Sequence, residues 1–379
     1  MRSEPTVPSA LLSRIRAPFL ETGALLIDPP ILQPLGVLLD LAGEDMRARL
    51  FVVQAEGGAE TCLRPDFTLA VARAHLETGR VSGAYFYEGK VFRAAPADSD
   101  RPEEVLQIGL EQFDTGGDRP EVDAQIISLA WRAASAGTRD DLGLWLGDVA
   151  LFSAFVEGLD LNPSLSARLH RCASRPRQLR AELARAGQAA DPAPAQGGLA
   201  GLLAAQAEGD AGKMLEEVWA LAGISQVGGR SAEDVAQRLI RRARAAQAPA
   251  LTLDQARTLE AFLAINAEPA EALASISGLL GAGATSLSQA LEAWSIRLDH
   301  LAKAGVPLTG ARFATHLGQA FNYYDGLTFE IRSQALGSDR PVAVGGRYDS
   351  LPTRLGASGD VRAVGCMVRP HRAYSEGVA

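Results

Sequence analysis

Apolar and polar residues alternate along several stretches of the chain, and this period of two is typical of half-buried β-strands. Residues 327–332, LTFEIR, alternate in this way. Residues 84–94 and 104–114 predict two antiparallel strands around a loop, and residues 141–148 predict a further strand. In residues 104–114 one face of the predicted strand is apolar and carries Leu106, Ile108 and Leu110. The opposite face carries Gln107, Gly109 and Glu111.

In other stretches, apolar residues recur every three or four positions, which indicates amphipathic helices. Residues 9–22 and 121–134 show this pattern, and a helix is also expected at residues 69–77, LAVARAHLE. From about residue 148 to residue 300 the chain is rich in Ala, Leu and Arg with helical periodicity. Residues 188–198, QAADPAPAQGG, interrupt this region as a linker or an exposed loop.

Short apolar segments bounded by Pro or Gly predict the remaining strands. In residues 24–34, ALLIDPPILQP, a strand ends at Pro29 and Pro30, because a proline pair cannot continue a central ladder. Residues 50–56 and 60–63 predict a hairpin across a glycine pair.

The composition restricts the classes of function. At 379 residues the chain can hold two or three domains. A net charge of -8 argues against broad nucleic-acid binding, which needs a basic surface. Cys62, Cys172 and Cys366 show no paired or metal-type spacing, as expected in a reducing compartment, and the histidines are scattered. No apolar run reaches membrane-spanning length, so we expect a cytoplasmic protein without a membrane partner. Because the histidines are scattered, we expect no metal site, and no cofactor is expected.

Residues 316–349 combine aromatic residues and glycines around the predicted strand. Tyr323 and Tyr324 precede the strand, and we interpret the glycine pair 345–346 as a turn that leads to Tyr348. Because glycine lets a backbone pass close to a ligand, the tyrosines could line a small polar pocket. A surface hairpin with core aromatics is the alternative interpretation.

The polar face of residues 104–114 is a second candidate for ligand contact. Gln107 and Glu111 place an amide and a carboxylate on either side of Gly109, a suitable floor for a small cationic or zwitterionic ligand. The alternative is a structural ion pair between Arg93 and Glu111.

Several ordered segments resemble histidyl-tRNA synthetases. NYYDGLTFE, VGGRYDSL and AVGCMV are similar to the histidine-specific segment and motif 3 of that family, and LRPDFTLAVARA, YEGKVFRA and LQIGLEQFD to its motif 2 region. The resemblance covers most of residues 15–114 and 305–372.

The resemblance implies an α+β fold of the class II aminoacyl-tRNA synthetase type, with an antiparallel sheet flanked by helices. Residues 1–147 and 305–379 are then the two parts of the synthetase-like core, and residues 148–304 are a mainly helical insertion. The helix, strand and proline pair within residues 9–34 follow the order of motif 1, which builds the dimer interface of class II synthetases. A self-dimer through this region is therefore expected.

The resemblance also implies a binding site for histidine. The family glutamate that matches Asp66 binds the α-amino group of histidine, and the arginine that matches Arg93 clamps its carboxylate. Here aspartate is one methylene shorter, and Phe67 follows it where the family has a small residue. The candidate histidine-binding residues are Asp66, Thr68, Arg93, Gln107, Glu111, Tyr324 and Tyr348.

The residues that would activate histidine depart from the family pattern. Gln319 replaces an arginine that stabilises charge at the reacting groups, a loss that typically costs on the order of 100- to 1,000-fold in rate. Ala95 replaces a glutamate that contacts adenine, and Arg369 replaces a glycine beside the nucleotide. The loop 95–104 carries four carboxylates against one arginine, which would repel tRNA phosphates. Because the sequence ends at Ala379, soon after the motif 3 equivalent, we also expect no anticodon-binding domain.

A synthetase-like chain that keeps amino-acid contacts but loses ATP, tRNA and anticodon functions resembles the regulatory subunits of ATP phosphoribosyltransferase. This resemblance implies a non-catalytic partner of the short-form catalytic subunit, needed for its activity and for feedback inhibition by histidine in the first step of histidine biosynthesis. One alternative is an enzyme, either a truncated histidyl-tRNA synthetase or a ligase that activates histidine for another acceptor. Another is an amino-acid-sensing module with a different partner.

Overall fold

The structure is a computed structural model that describes residues 2–54, 58, 60–116, 119–173, 175–187, 202, 210–222, 232–247, 250–280, 284–317 and 323–375. The chain divides into two compact units, Met1–Gly158 with Ala261–Ala379 and Leu159–Glu260. The loop expected at residues 188–198 and the candidate residue Gln319 lie outside the described residues. The domain limits expected at residues 147 and 304 remain a prediction.

Strands of the larger unit form one large and one small sheet. In chain order they are β1 Leu25–Leu26, β2 Leu32–Pro34, β3 Val52–Val53, β4 Thr61–Leu63, β5 Gly83–Phe92, β6 Glu104–Asp114, β7 Leu142–Asp148, β8 Asn266–Ala267, β9 Arg312–Ala314, β10 Leu327–Ser333, β11 Ala343–Arg347 and β12 Arg362–Val368. The large sheet has the order β1-β5-β6-β12-β11-β10-β7-β9-β8, and the small one the order β2-β4-β3. Within the large sheet β1 pairs with β5 and β7 with β9 in parallel, and the other pairs are antiparallel.

Helices flank the large sheet and make up the smaller unit. They are α1 Ser9–Leu20, α2 Leu35–Ala42, α3 Thr68–Glu77, α4 Arg119–Ser135, α5 Val149–Gly158, α6 Pro163–Cys172, α7 Pro176–Ala184, α8 Asp210–Leu221, α9 Ala232–Gln247, α10 Leu253–Leu263, α11 Pro269–Leu279, α12 Thr285–Lys303, α13 Ser350–Arg354 and α14 Pro370–Ala373, with a 3₁₀ helix at Glu44–Arg49. In the larger unit α4 packs on β11 and β12, and α1 and α12 pack on α4. In the smaller unit α8 and α9 share a small apolar core that includes Leu215, Ala236 and Ile240. Every helix among the described residues is too short or too polar to cross a lipid bilayer.

Most of the elements expected from periodicity are confirmed. The hairpin of β5 and β6 is antiparallel and places Tyr87 opposite Gly109. The alternating run at residues 327–332 is β10, and the amphipathic patterns correspond to α1, α3 and α4. β3 and β4 pair as the predicted short hairpin, and β2 joins them. The fold is thus the expected α+β arrangement of a mainly antiparallel sheet flanked by helices.

The interpretation of residues 345–346 as a turn is wrong, because both glycines lie within β11 in the interior of the large sheet. A Cβ atom at Gly345 would lie 2.5 Å from the carbonyl oxygen of Gly365, and one at Gly346 would lie 2.8 Å from the ring of Tyr324. These glycines therefore allow close packing in the sheet. In the alternative interpretation the surface location is also wrong, since β10 and β12 flank β11 on both sides, whereas Tyr348 does belong to a hydrophobic core.

Candidate functional site

One cavity in the larger unit is lined by all seven candidate histidine-binding residues. Its atom-free space is about 370 Å³, open solvent at the mouth included. The residues that line it with the seven candidates are Phe67, Tyr87, Tyr323, Val344, Gly365, Cys366 and Met367. Strands β5, β6, β11 and β12 and the start of α3 contribute to this lining.

The carboxylate of Glu111 is held by three hydroxyl groups. Thr68 Oγ1 donates to Oε1 at 2.8 Å, Tyr87 OH donates to Oε1 at 3.2 Å, and Tyr348 OH donates to Oε2. Glu111 is 2% exposed, so these bonds replace solvent around a buried acid. Since two carboxylate oxygens offer about four acceptor positions, one position remains for another donor.

Burial raises the pKa of Glu111 to about 7, although hydrogen bonds from Tyr348, Thr68 and Tyr87 favour the ionised form. The same environment raises the pKa of the Tyr348 hydroxyl, first through burial and then through the Glu111 carboxylate. Tyr348 therefore remains a phenol that donates, whereas Glu111 can gain or lose a proton near neutral pH.

Asp66 and Arg93 form the second charged part of the cavity. Arg93 Nη2 lies 4.0 Å from Asp66 Oδ2, and Arg93 Nε donates to the carbonyl oxygen of Pro65 at 2.8 Å. Burial raises the pKa of Asp66, and the Arg93 charge opposes that rise. Asp66 Oδ1 has no hydrogen-bond partner among the described residues, so it can accept a hydrogen bond from a ligand.

The alternative that Arg93 and Glu111 form a structural ion pair is wrong. Within the described part of the chain, Arg93 pairs with Asp66, and hydroxyl groups surround Glu111. The cavity thus contains the ion pair of Asp66 and Arg93 and, separately, the buried carboxyl group of Glu111. This arrangement has complementary charge for a zwitterion with a polar side chain.

Aromatic rings form much of the cavity wall. The ring centroids of Tyr323 and Tyr324 are 4.8 Å apart, and Tyr348 lies 6.1 Å and 6.4 Å from them. Burial raises the pKa of both Tyr323 and Tyr324 above the ordinary value, so their hydroxyls stay protonated. The wall can therefore pack against a flat ring and also donate hydrogen bonds to it.

Phe67 fits the site despite its size. Its ring stacks on Tyr87 with centroids 4.2 Å apart, and the Arg64 guanidinium lies 4.1 Å from the Phe67 centroid. A Cβ atom at Gly89 would lie 2.9 Å from the Phe67 ring, so glycine on β5 leaves the required space. Tyr87, which the β5–β6 register places opposite Gly109, is not among the candidate residues predicted from the sequence.

A buried ion cluster supports the strand that ends before Tyr348. Asp123 on α4 accepts from Arg297 Nη2 at 2.7 Å and from Arg347 Nε at 2.9 Å. Arg347 Nη1 also donates to Asp349 Oδ1 at 2.9 Å. Asp123 is fully buried, so the carboxylate fixes two cations from α12 and β11 in a site shielded from bulk solvent.

Within the described residues, no group of three or more His, Cys, Asp or Glu side chains is arranged to hold a metal ion. Cys62, Cys172 and Cys366 are buried free thiols.

The chain is similar in sequence to several known proteins. The family model described as histidyl-tRNA synthetase matches residues 6–257. The ATP phosphoribosyltransferase regulatory subunit of Brucella anthropi is 34% identical over 364 residues, which cover 94% of this chain and 94% of that protein. The protein of the same name from Brucella canis is 33% identical over 363 residues, with 94% of each chain covered.

Solved structures share the fold at lower identity. A protein from Bacillus halodurans C, described as an ATP phosphoribosyltransferase regulatory subunit/histidyl-tRNA synthetase, superposes with a TM-score of 0.64 at 19% identity over 98% of this chain and 80% of that one. A histidyl-tRNA synthetase from a Nostoc species gives a TM-score of 0.59 at 16% identity over 96% and 70% of the two chains. These TM-scores support a common fold for this chain and the two solved structures.

Proposed function

The chain belongs to the ATP phosphoribosyltransferase regulatory subunit family, and from this premise we propose that it binds histidine and regulates a separate catalytic subunit. The partner is the short-form ATP phosphoribosyltransferase, which needs this chain for activity and for feedback inhibition by histidine. The complex acts at the first step of histidine biosynthesis. We place it in the cytoplasm, in line with the free thiols.

The observation that carries the proposal is the arrangement of the acids and Arg93 in the cavity. The ammonium group of histidine would meet Asp66 Oδ1, which has no hydrogen-bond partner among the described residues, and its carboxylate would meet Arg93. The imidazole N–H would take the remaining acceptor position of Glu111. Gln107, which is 1% exposed, and Tyr324 would complete the contacts from the same cavity.

We propose that the chain catalyses no reaction itself. Arg369 stands at the position of a family glycine, and its side chain lines the cavity next to the histidine site at 8% exposure. Ala95 lines the same cavity and offers no carboxylate to an adenine amino group. These two positions support the absence of histidine activation.

Transfer RNA is not a partner in this proposal. Glu103 and Glu104 at the end of the loop are bound by basic groups, with Arg2 Nη2 at 3.6 Å and Lys90 Nζ at 2.5 Å. Asp98 and Asp100 remain on the loop without an ion pair among the described residues. With Arg101 as its one basic residue, the loop carries no excess of the positive charge that phosphate contacts require.

A self-dimer through the motif 1 region is supported by exposed apolar residues. β1 is an edge strand of the large sheet, and its residues Leu25 and Leu26 are 51% and 73% exposed. Leu20, Ile31 and Leu32 nearby in sequence are also exposed. An uncovered edge with large apolar side chains favours pairing with a second copy.

The decisive experiment is a phosphoribosyltransferase assay with the short-form catalytic subunit. We expect low activity from the catalytic subunit alone, an increase when this chain is added, and inhibition when histidine is added to the complex. Failure to bind the catalytic subunit at micromolar concentration would contradict the proposal.

A second assay separates the regulatory role from the enzymatic alternative. A truncated synthetase or a histidine-activating ligase would show histidine-dependent exchange between ATP and pyrophosphate. We expect no exchange from this chain. A chain that binds histidine yet neither activates the catalytic subunit nor exchanges pyrophosphate would instead be an amino-acid sensor with another partner.

A further inference from the structure

Two helices of the larger unit, α11 and α12, border a groove that is separate from the histidine cavity. Its atom-free space is about 1350 Å³, open solvent included. The groove and the histidine cavity have no lining residue in common. We name it the helix groove.

The wall that α12 contributes has the spacing of a helix-packing seam. Leu291, Ser295, Leu298 and Ala302 follow one another at intervals of four, three and four residues, which is the a and d pattern of a coiled coil. The two leucines are half-buried, and Ser295 and Ala302 are exposed. Because all four positions line the open groove, part of the seam has no partner helix among the described residues.

The opposite wall, on α11, is suited to the close approach of another helix. Ala270, Ala274 and Ser277 are small and exposed, and they recur every three or four residues beside Leu273. Small side chains at a contact shorten the distance between helix axes. Both walls are helices whose backbone groups are bonded internally, so the groove fits a helix better than an added strand. The 11 residues of α11 set the length of this helix at about three turns.

The charge of the helix groove selects a basic occupant. Glu268, Glu292 and Asp299 contribute carboxylates, whereas the described lining includes no lysine or arginine. Glu292 and Asp299 are exposed and directly follow Leu291 and Leu298, so they occupy the e positions beside the seam. Charged side chains at e positions determine which helix pairs with a seam. These carboxylates are not arranged to hold a metal ion in the described part of the chain.

Helix α12 is also joined to the histidine cavity by the buried ion cluster. Arg297, the neighbour of Leu298, donates to Asp123 at 2.7 Å. Asp123 in turn accepts from Arg347 at 2.9 Å, and Arg347 directly precedes Tyr348 of the cavity. A partner that docks on the seam therefore contacts the helix that this cluster links to the strand before Tyr348.

We propose that the helix groove is the docking site for the catalytic subunit. The groove accepts an amphipathic helix of that subunit, in which lysine or arginine residues flank an apolar stripe. The stripe packs on Leu291 and Leu298, and the basic residues meet Glu292 and Asp299. This inference rests on the proposed function, since it assigns a surface to the partner named there.

Binding of the short-form catalytic subunit to the full chain, measured by biolayer interferometry, tests the docking site. Ser295→Arg adds bulk and positive charge in the middle of the seam and should weaken binding about tenfold or more. Ser288→Arg is the matched control, because it makes the same change at an exposed serine of α12 that does not line the groove. This control should bind as the wild type does.

A second variant tests the charge without added bulk. Glu292→Gln combined with Asp299→Asn keeps the shape of the groove and removes two carboxylates. We expect weaker binding of the catalytic subunit, and a smaller loss of affinity with added salt than in the wild type. An unchanged affinity and salt dependence in this variant would reject a basic docking helix.

The outcomes separate the docking site from the proposed function. A wild-type chain that does not bind the catalytic subunit would overturn the proposed function, and the docking site with it. If the wild type binds and Ser295→Arg binds equally well, or Ser288→Arg binds as poorly as Ser295→Arg, the docking site alone is overturned. Loss of self-association in Ser295→Arg, measured by sedimentation analysis, would show that a second copy of this chain occupies the groove and would also reject the assignment.

Discussion

Glu111 on β6 pairs with Gly365 on β12, and its carboxylate occupies space that a side chain at position 365 would need. A Cβ atom added to Gly365 would overlap with Glu111 Oε2. The buried carboxylate of Glu111 therefore requires glycine at position 365. The position of Glu111 in the cavity is fixed as much by its neighbour on β12 as by the three hydroxyl groups.

Gly365→Ala should displace the Glu111 carboxylate. We expect a decrease in the free energy of unfolding of about 1–3 kcal/mol, because the added methyl group overpacks a buried site. Histidine binding should weaken in the same variant. Gly143→Ala is the matched control, since Gly143 lies in β7 and its added Cβ would have no heavy atom of the described residues within 4 Å. Urea unfolding of both variants measures the difference, and equal stabilities would contradict the assigned packing.

Glu111 should make stability depend on pH. The carboxyl has a pKa of about 7 in the folded chain and an ordinary value of 4.5. Because the folded state binds the proton more tightly, its contribution to stability is fully present below pH 4.5 and is lost as the pH rises through 7. We expect the free energy of unfolding of the wild type to fall by roughly 3 kcal/mol relative to Glu111→Gln across this window. Parallel pH profiles for the two proteins would exclude this role.

Tyr348→Phe should raise the pKa of Glu111 further. The Tyr348 hydroxyl donates to Glu111 Oε2 and thereby stabilises the ionised carboxylate. Carbon-13 NMR of the labelled Glu111 carboxyl, followed against pH, measures the shift. Tyr374→Phe is the control, because Tyr374 does not line the cavity. A lower or unchanged pKa in Tyr348→Phe would show that the hydroxyl does not stabilise the charge.

Histidine binding should depend on Glu111. Loss of a charge-assisted hydrogen bond worth about 1.5–3 kcal/mol predicts that Glu111→Ala weakens binding by about 10- to 150-fold. Titration calorimetry of the wild type and Glu111→Ala measures this change in the dissociation constant. Glu77→Ala, on the exposed surface of α3, should bind as the wild type does. Unchanged affinity in Glu111→Ala would place the histidine site elsewhere, for example on the catalytic partner.

The edge strand β1 should determine the oligomeric state. Leu26→Glu introduces a charge where the proposed dimer needs an apolar surface, so we expect a monomer in sedimentation analysis. Leu253→Glu changes a leucine with 57% exposure in the smaller unit and should remain a dimer. A dimeric Leu26→Glu variant would exclude the motif 1 region as the interface.

The sequence allowed prediction of those elements that depend on local periodicity. The alternating run at Leu327–Ser333 and the hairpin of β5 and β6 were identified because apolar spacing is a property of neighbouring residues. The sequence favours a turn at Gly345 and Gly346, since two glycines give no alternating pattern even where they pack tightly between strands. Tyr87 was missed because its place in the site depends on the register of two strands, which periodicity does not determine.

Motif resemblance allowed prediction of which residues line the candidate site. It did not allow prediction of the contacts between side chains, which depend on packing. Resemblance brought together seven residues that do line one cavity. It did not indicate that Phe67 would fit against Gly89, or that Arg93 would lie beside Asp66 rather than Glu111. Such contacts depend on which side chains share space in three dimensions.

The single carboxylate of Asp123 between Arg297 and Arg347 has a consequence for how this family can diverge. If Asp123 alone were replaced by a neutral residue, Arg297 would lose its buried carboxylate while Arg347 kept its pair with Asp349, and an unpaired buried charge of this kind destabilises a fold by roughly 3–5 kcal/mol. Replacement of all three by apolar residues of similar volume avoids that penalty. Positions 123, 297 and 347 are therefore expected to covary across homologues, with intermediate combinations rarely retained.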